Sequence, residues 1–274
     1  MIRHLALSFL LLGACLPPAA SAQEQAPAPT DEVGRIGALF AQQVRPQLAL
    51  PATAQADYAA RLVVALTDAG IILEQSQFVL LVDRSPSVQA ALLLWGGAGQ
   101  DWHLLGAVPV STGLPGTFEH FLTPLGVFAH STDNPDFRAE GTKNKLGFRG
   151  YGSKGMRIYD LGWVAAPRGW GDGAMGKLRL QMHATDPQLA EPLLGTPRSE
   201  GCIRIPATFN RFLDLNALLD ADYAVALPDG APRWVLDAHR TPVASAGRYI
   251  VVVDSAASAR PDWSPAPVQR RRAP

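Results

Sequence analysis

The 274-residue sequence has only two cysteines and no excess of charge of either sign. Its 24 Lys and Arg residues balance 24 Asp and Glu residues, which argues against a nucleic-acid-binding protein, since such proteins usually carry a basic excess. We interpret the dense basic run Arg270–Arg272 as a solvated terminus. After Ala14 no apolar run approaches the ~20 residues that a membrane-spanning helix needs.

The first 22 residues have the features of a secretory signal peptide. Arg3 supplies a positive charge, Leu5–Ala14 is an apolar run too short to cross a bilayer, and Ala20–Ala22 offers a small-residue cleavage site. These features predict export to the periplasm or cell envelope. In an alternative interpretation Leu12–Cys15 resembles a bacterial lipobox, and a lipid on Cys15 would then anchor the protein to a membrane.

Changes in the hydrophobic pattern divide the remaining chain into three segments. Residues 23–76 combine a Pro-rich linker with two helical patterns, 31–50 and 51–70, which form either a small cap or a separate module, most simply a packing appendage. Residues 77–254 are predicted to be one mainly β domain with helices. Residues 255–274 are rich in proline and arginine and are predicted to be disordered.

The mainly β assignment rests on short apolar or alternating runs. The predicted strands are Phe78–Asp83, Ala90–Trp95, Trp102–Ser111, Leu178–His183, Tyr223–Leu227 and Tyr249–Val253. Helical spacing of aromatic and leucine residues predicts one helix over Pro206–Leu219. The Gly-rich basic stretch 143–155 is either a lid or a plain exposed loop, and Met156–Trp163 is interpreted as a packing segment.

Cys202 is the residue whose chemistry needs an explanation. Cysteines of exported proteins normally pair, and removal of the predicted leader would take away Cys15. An unpaired cysteine in such a protein is a reactive thiol, one half of an intermolecular bridge, or a buried inert residue.

A nucleophilic thiol needs a base, a group that orients the base, and donors for an oxyanion. His183 ends a predicted strand, so its side chain can be held rigidly, and it is the candidate base. The other candidates, interpreted as surface or packing residues, are His103, His120, His130 and His239. A zinc site built from His183, Glu200 and Cys202 lacks the spacing that zinc ligands usually show.

Four segments of the chain stand in an order that a known enzyme family shares. His183–Thr185 is followed at a suitable distance by Ser199–Arg204 (SEGCIR), and upstream lie Val110–Gly113 (VSTG) and Thr123–Phe128 (TPLGVF). With the apolar run Phe78–Asp83, these segments resemble the L,D-transpeptidase catalytic domain (YkuD) family. The resemblance covers roughly residues 77–227 and implies a β-sandwich or barrel with a helix after the catalytic cysteine.

The resemblance also implies catalytic roles. Cys202 corresponds to the nucleophile, and His183 to the base that takes its proton. The backbone carbonyl of Ala184 orients the imidazole, and backbone N–H groups at Gly201 and Cys202 stabilise the oxyanion. A neighbouring imidazolium and the positive end of the helix after Pro206 could lower the pKa of the thiol.

Three further residues are implied to form the substrate-binding part of the site. Ser199 braces the cysteine loop, and Arg204 supports that loop or holds a substrate carboxylate. Glu200 departs from the family, which usually has a histidine there. Unpaired, its charge would raise the pKa of the thiol; otherwise it pairs with Arg198 or Arg204, or binds the amine of an acceptor.

The implied activity is that of an exported cysteine acyltransferase acting on peptidoglycan tetrapeptide stems without a cofactor or metal. The thioester on Cys202 would pass to an amine, either of a second stem or of an acceptor protein. Water as the acceptor would make the protein an L,D-carboxypeptidase, and a packed, inert Cys202 would make it an inactive wall-binding module. No nucleic-acid partner is expected, and a membrane is expected only if Cys15 carries a lipid.

Overall fold

The computed structural model describes residues 29–145, 147–226 and 233–267, which contain four α-helices and nine strands. The helices are α1 (Pro29–Gln43), α2 (Ala52–Asp68), α3 (Ala207–Leu215) and α4 (Ala221–Ala226). The strands are β1 (Gln77–Asp83), β2 (Ala90–Gly97), β3 (Gln100–Pro109), β4 (Gly126–Ala129), β5 (Phe137–Arg138), β6 (Arg157–Pro167), β7 (Met175–His183), β8 (Ile203–Arg204) and β9 (Tyr249–Val253).

The expected mainly β fold with helices is therefore confirmed. The helices of the described ranges are all too short or too polar to cross a membrane. The predicted signal peptide, the linker as far as residue 28, and Arg270–Arg272 lie outside the described residues.

The strands form two sheets that β8 connects. One sheet has the order β3-β2-β1-β9-β4, and the other has the order β5-β6-β7-β8. The neighbours β1 and β9 are parallel, as are β7 and β8, and the remaining pairs are antiparallel. Just beyond β3, Ser111 exchanges backbone hydrogen bonds of 3.0 and 2.9 Å with Arg204 of β8. The short β8 thus contacts both sheets.

The main core lies between the two sheets. Because successive strand side chains point to opposite faces, Leu80 and Val82 of β1 enter this core while Val79 and Leu81 point outward. The second sheet contributes Tyr159, Leu161, Leu180, Met182 and Ile203. Since Leu180 and Met182 point inward, the alternate positions of β7 face away from the core.

Both N-terminal helices are part of the packed domain. Helix α2 covers the outer face of the five-stranded sheet through Tyr58, Leu62 and Leu66. Helix α1 instead inserts Phe40 into the main core, where a side chain at Gly106 of β3 would overlap the phenyl ring. The sequence boundary at residue 76 therefore does not mark a break in packing.

The described part of the C-terminal segment, 255–267, is anchored, so the prediction of disorder is wrong there. The Trp263 ring packs edge-on against Tyr58 at 5.9 Å, and Ser264 Oγ donates to the carbonyl of Val88 at 2.6 Å. Arg260 donates to the carbonyl of Gly195 at 2.9 Å. These contacts hold the segment on the domain, although its proline-rich composition is typical of disorder.

One other expectation is corrected. Residues 221–226 form α4 and not the first part of the strand predicted over Tyr223–Leu227, whose last residue lies outside the described residues. Side chains two apart in a strand share a face, whereas Tyr223 is buried and Val225 is 75% exposed. The segment Met156–Trp163, interpreted as a packing segment, belongs mostly to the long strand β6, in which Arg157 and Tyr159 are fully buried.

We expect Phe40→Ala to lower the free energy of unfolding by about 3–5 kcal/mol, because it would leave a cavity in the main core. The ring is buried against Phe209 and Phe212 at 5.9 and 5.5 Å. The matched control is Phe118→Ala, which removes a residue that is 72% exposed and should change the value by less than about 0.5 kcal/mol. Urea unfolding measures both, and equal effects would contradict a core role for α1.

Candidate active site

The pairing of β7 with β8 places His183 and Cys202 on one face of the four-stranded sheet. Met182 lies opposite Ile203, and His183 lies opposite Arg204. Met182 and Ile203 point into the core, so the residues beside them point to the other face. Cys202 therefore lies diagonally next to His183. The structure brings together the two residues predicted to act as nucleophile and base.

The Cys202 thiol rests on the backbone of β7. Its Sγ lies 3.8 Å from the carbonyl oxygen of Arg179, and the backbone N–H of Gln181 also faces it. Within the described ranges no hydrogen bond joins the thiol to His183. The resting thiol is thus held beside the imidazole without being bonded to it.

His183 is held in one tautomer. Its Nδ1 lies 2.6 Å from the carbonyl oxygen of Ala184, which can only accept, so the proton is on Nδ1 and Nε2 keeps its lone pair. The edge of the Tyr151 ring packs against the imidazole at 4.7 Å. A free Nε2 lone pair is what a general base requires, and the carbonyl of Ala184 makes the contact expected of an orienting group.

Ser199 ties the cysteine loop together from within. Its hydroxyl donates to the carbonyl of Cys202 at 2.5 Å and accepts from the N–H of Gly201 at 3.1 Å. Its backbone N–H donates to the carbonyl of Thr112 at 2.9 Å. The bracing expected of Ser199 is therefore visible in these three bonds.

The two upstream segments picked out in the sequence, 110–113 and 123–128, both contact this loop. Thr123 Oγ1 donates to the carbonyl of Gly201 at 2.7 Å and accepts from the N–H of Gly113 at 3.0 Å. One buried hydroxyl thus joins both segments to the residue before Cys202.

Gly201 allows the cysteine loop to pass close to Leu178 of β7. Its φ of +129° lies outside the range that side-chain-bearing residues favour, and a Cβ there would come within 2.8 Å of Leu178. Because its N–H already donates to Ser199, it is not free to bind an oxyanion in this state. The Cys202 N–H, in contrast, has no acceptor among the described residues and is the available donor.

Both reactive groups are neutral at neutral pH. Burial raises the pKa of the Cys202 thiol to about 11, to which the charge of Glu200 contributes, while the Gln181 N–H and Arg204 oppose the increase. Burial also lowers the pKa of His183 to about 4, against the hydrogen bond to Ala184. The expected lowering of the pKa of the thiol is therefore wrong, because His183 carries no charge that would favour a thiolate.

The N-terminus of α3 already has a negatively charged partner. The first N–H of this helix, at Ala207, donates to a carboxylate oxygen of Glu191 at 3.3 Å. A carboxylate at this place complements the positive end of the helix.

Glu200 and Arg204 take different positions. Glu200 is exposed, and within the described ranges it forms no ion pair with Arg198 or Arg204. Arg204 donates through Nη1 to the carbonyl of Arg198 at 3.0 Å and stacks over the Phe148 ring at 5.6 Å. Its buried Nε has no partner among the described residues. The loop-supporting role expected of Arg204 fits these contacts.

Part of the basic Gly-rich stretch crosses the site. Residues 148–152, here called the strap, contact three residues of the site. Phe148 lies under Arg204, Tyr151 packs on His183, and Gly152 lies against Ala184. The backbone N–H of Arg149 donates to Asp186 at 3.0 Å. The Tyr151 ring of the strap thus covers part of the imidazole of His183.

Beside the thiol lies a network of polar side chains that the sequence did not predict. Asp160 Oδ2 accepts from Arg179 at 2.8 Å and from Gln181 at 2.9 Å, and the Tyr151 hydroxyl donates to Gln181 Oε1 at 2.9 Å. The alternation of Arg179, Gln181 and His183 along β7 was the available signal. Tyr151 and Asp160 had none, because their contacts cross between distant segments.

Two of the histidines set aside in the sequence have defined contacts. His130 is fully buried, with its Nε2 against Asp136 at 2.9 Å and its Nδ1 against the carbonyl of Leu219 at 2.8 Å. The Nδ1 of His120 bonds the carbonyl of Ser199 at 3.0 Å, so this residue helps to hold the cysteine loop. His120 is therefore part of the site's support.

In the described part of the chain no three His, Cys, Asp or Glu side chains converge as a metal site requires.

A groove of about 650 Å³ between α2 and β4 is lined by residues remote from the thiol, among them Val64, Leu125 and Val253.

No protein-family model and no curated protein matches this chain.

We expect the rate of Cys202 alkylation by iodoacetamide to keep rising up to about pH 10, because the pKa of this partly buried thiol is raised and only the thiolate reacts. A free cysteine levels off above its pKa of about 8.5. Glu200→Gln should lower the pKa of the thiol and speed alkylation at pH 8, whereas Glu74→Gln, an exposed control, should match the wild type. A wild-type plateau below pH 8 would contradict a neutral resting pair.

We expect Thr123→Val to lower the free energy of unfolding by about 1–3 kcal/mol, because it leaves the Gly113 N–H and the Gly201 carbonyl unsatisfied in a buried place. Thr123→Ser keeps the hydroxyl and is the matched control, expected to lose less. Denaturant titration measures both variants. Equal losses would show that the hydroxyl does not join these segments.

Proposed function

We propose that the protein is an exported cysteine acyltransferase of the L,D-transpeptidase type that acts on peptidoglycan stem peptides. The observation that carries the proposal is the placement of Cys202 diagonally beside the Nε2-basic tautomer of His183. The four segments that resemble the YkuD family support it, since 110–113 and 123–128 both contact 199–204, which contains Cys202. Export rests on the predicted signal peptide.

The proposed reaction begins when Cys202 Sγ attacks the carbonyl carbon of the third stem residue and His183 Nε2 takes the thiol proton. The negative charge that develops on the substrate oxygen is stabilised by the Cys202 N–H. Collapse breaks the peptide C–N bond, and His183 returns the proton to the amine of the departing D-alanine. A thioester on Cys202 remains.

In the second half of the reaction an amine attacks the thioester and the C–S bond breaks, while His183 Nε2 takes a proton from the amine and returns it to the departing sulfur, which gives an amide and regenerates the thiol. The Glu200 carboxylate, exposed and without an ion-pair partner in the described ranges, is suited to hold the ammonium form of that acceptor. A second stem gives a cross-link, and an acceptor protein gives an attachment. The finer fold assignment, a YkuD-like sandwich or barrel, is part of the same proposal.

Two observations favour rival functions. The carboxylate of Glu200 beside the thiol would also suit activation of water, which makes an L,D-carboxypeptidase. The raised pKa of Cys202 suits an inert thiol in a wall-binding module. Product analysis separates these alternatives.

We expect the chain from Gln23 onward to convert a disaccharide-tetrapeptide muropeptide into a cross-linked dimer with loss of D-alanine, read by mass spectrometry. Cys202→Ala and His183→Ala should each lower turnover by about 10³-fold or more, because they remove the two halves of one proton-transfer pair. His239→Ala, at an exposed histidine, is the matched control and should retain activity.

Each other product pattern has a defined meaning. Tripeptide without a dimer would establish the carboxypeptidase instead. No product from folded wild-type protein, together with unchanged muropeptide binding in Cys202→Ala, would establish the binding module. Normal turnover in either Cys202→Ala or His183→Ala would overturn the assignment of these residues.

A further inference from the structure

Three aromatic side chains next to the cysteine loop form one cluster, here called the aromatic rim. The Trp170 ring packs edge-to-face against Phe121 at 5.0 Å and against Phe118 at 5.8 Å. Phe118 is 72% exposed, and the guanidinium of Arg168 lies 5.7 Å from the Trp170 ring. Trp170 and Phe121 are partly buried, so the cluster presents one exposed ring and the open parts of two others.

The aromatic rim is fixed in place by backbone bonds between its two loops. The Gly116 N–H donates to the carbonyl of Gly169 at 2.6 Å, and the Gly169 N–H donates to the carbonyl of His120 at 2.7 Å. Phe121 also forms an isolated β-bridge with Arg168. The rings are therefore preorganised, so binding would cost little ordering entropy.

The aromatic rim adjoins the proposed nucleophile. The N–H of Phe121 donates to the carbonyl of Glu200 at 3.1 Å, and a Cβ built on Gly201 would lie 3.2 Å from the Cβ of Phe121. Phe121 thus lies between Trp170 and Gly201, the residue that precedes Cys202.

We propose that the aromatic rim binds a sugar ring of the glycan strand that carries the peptide; this inference rests on the proposed function. A sugar ring presents a face of C–H groups bordered by hydroxyls. Phe118 and Trp170 supply apolar surface for such a face, while the exposed side chains of Arg168 and Glu119 supply partners for hydroxyls. A wholly apolar ligand would desolvate Arg168 without compensation.

The first test is a ligand-observed NMR titration with a tetrasaccharide of N-acetylglucosamine, which contains no peptide. We expect binding to the wild type, weakening of about fivefold or more in Phe118→Ala and Trp170→Ala, and no change in Trp234→Ala. Trp234 is an exposed tryptophan elsewhere, 67% exposed, and serves as the matched control. Phe118→Ala removes little buried surface, so its folding is not at risk.

The second test compares substrates with and without the sugar. Phe118→Ala should raise KM for the disaccharide-tetrapeptide by about fivefold at unchanged kcat, and leave both constants unchanged for the free tetrapeptide. An equal rise in KM for both substrates would make the rim a peptide subsite and overturn the proposal. Failure of the tetrasaccharide to bind, or equal binding by all variants, would also overturn it.

The two proposals fail separately. Rim-dependent tetrasaccharide binding in a protein that turns over no substrate would refute the acyltransferase and support the saccharide site.

Discussion

The site depends on the pairing of a two-residue strand. Ile203 and Arg204 of β8 lie between β7 and Ser111, and the bond from the Ile205 N–H to the carbonyl of His183, 2.9 Å long, closes the pairing. Because side chains alternate along a strand, a shift of one residue here would turn Cys202 toward the core. The hydroxyls of Ser199 and Thr123, which hold the loop before β8, therefore fix the register on which the thiol–imidazole geometry rests.

A buried ionic cluster holds the other side of the same sheet. Arg157 of β6, with no exposed surface, bonds Asp136 at 2.6 Å and Asp220 at 2.8 Å, and His130 bonds the same Asp136. Burial alone would lower the pKa of His130, but Asp136 raises it above its usual range. Removing one partner of such a cluster is costly because a buried charge is left uncompensated. The cluster thus ties β6 to the start of α4 and to the loop before β5.

Sequence patterns predicted the elements whose signal is local. The strand Tyr249–Val253 appears with the predicted bounds, and His183 ends β7 as expected. The strand β6 was missed because a buried arginine and aspartate interrupt its apolar run, and their compensation comes from residues far along the chain. The pairing of His183 with Cys202 came from motif order. The pKa of the thiol depends on its burial in the folded chain, which no local pattern encodes.

The neutral state of both groups constrains the proposed chemistry. Moving the proton from Cys202 to His183 before attack is unfavourable, because burial raises the pKa of the thiol and lowers the pKa of the imidazole. Proton transfer coupled to formation of the C–S bond avoids the free thiolate, and the Nδ1–H tautomer of His183 leaves the Nε2 lone pair available for that step.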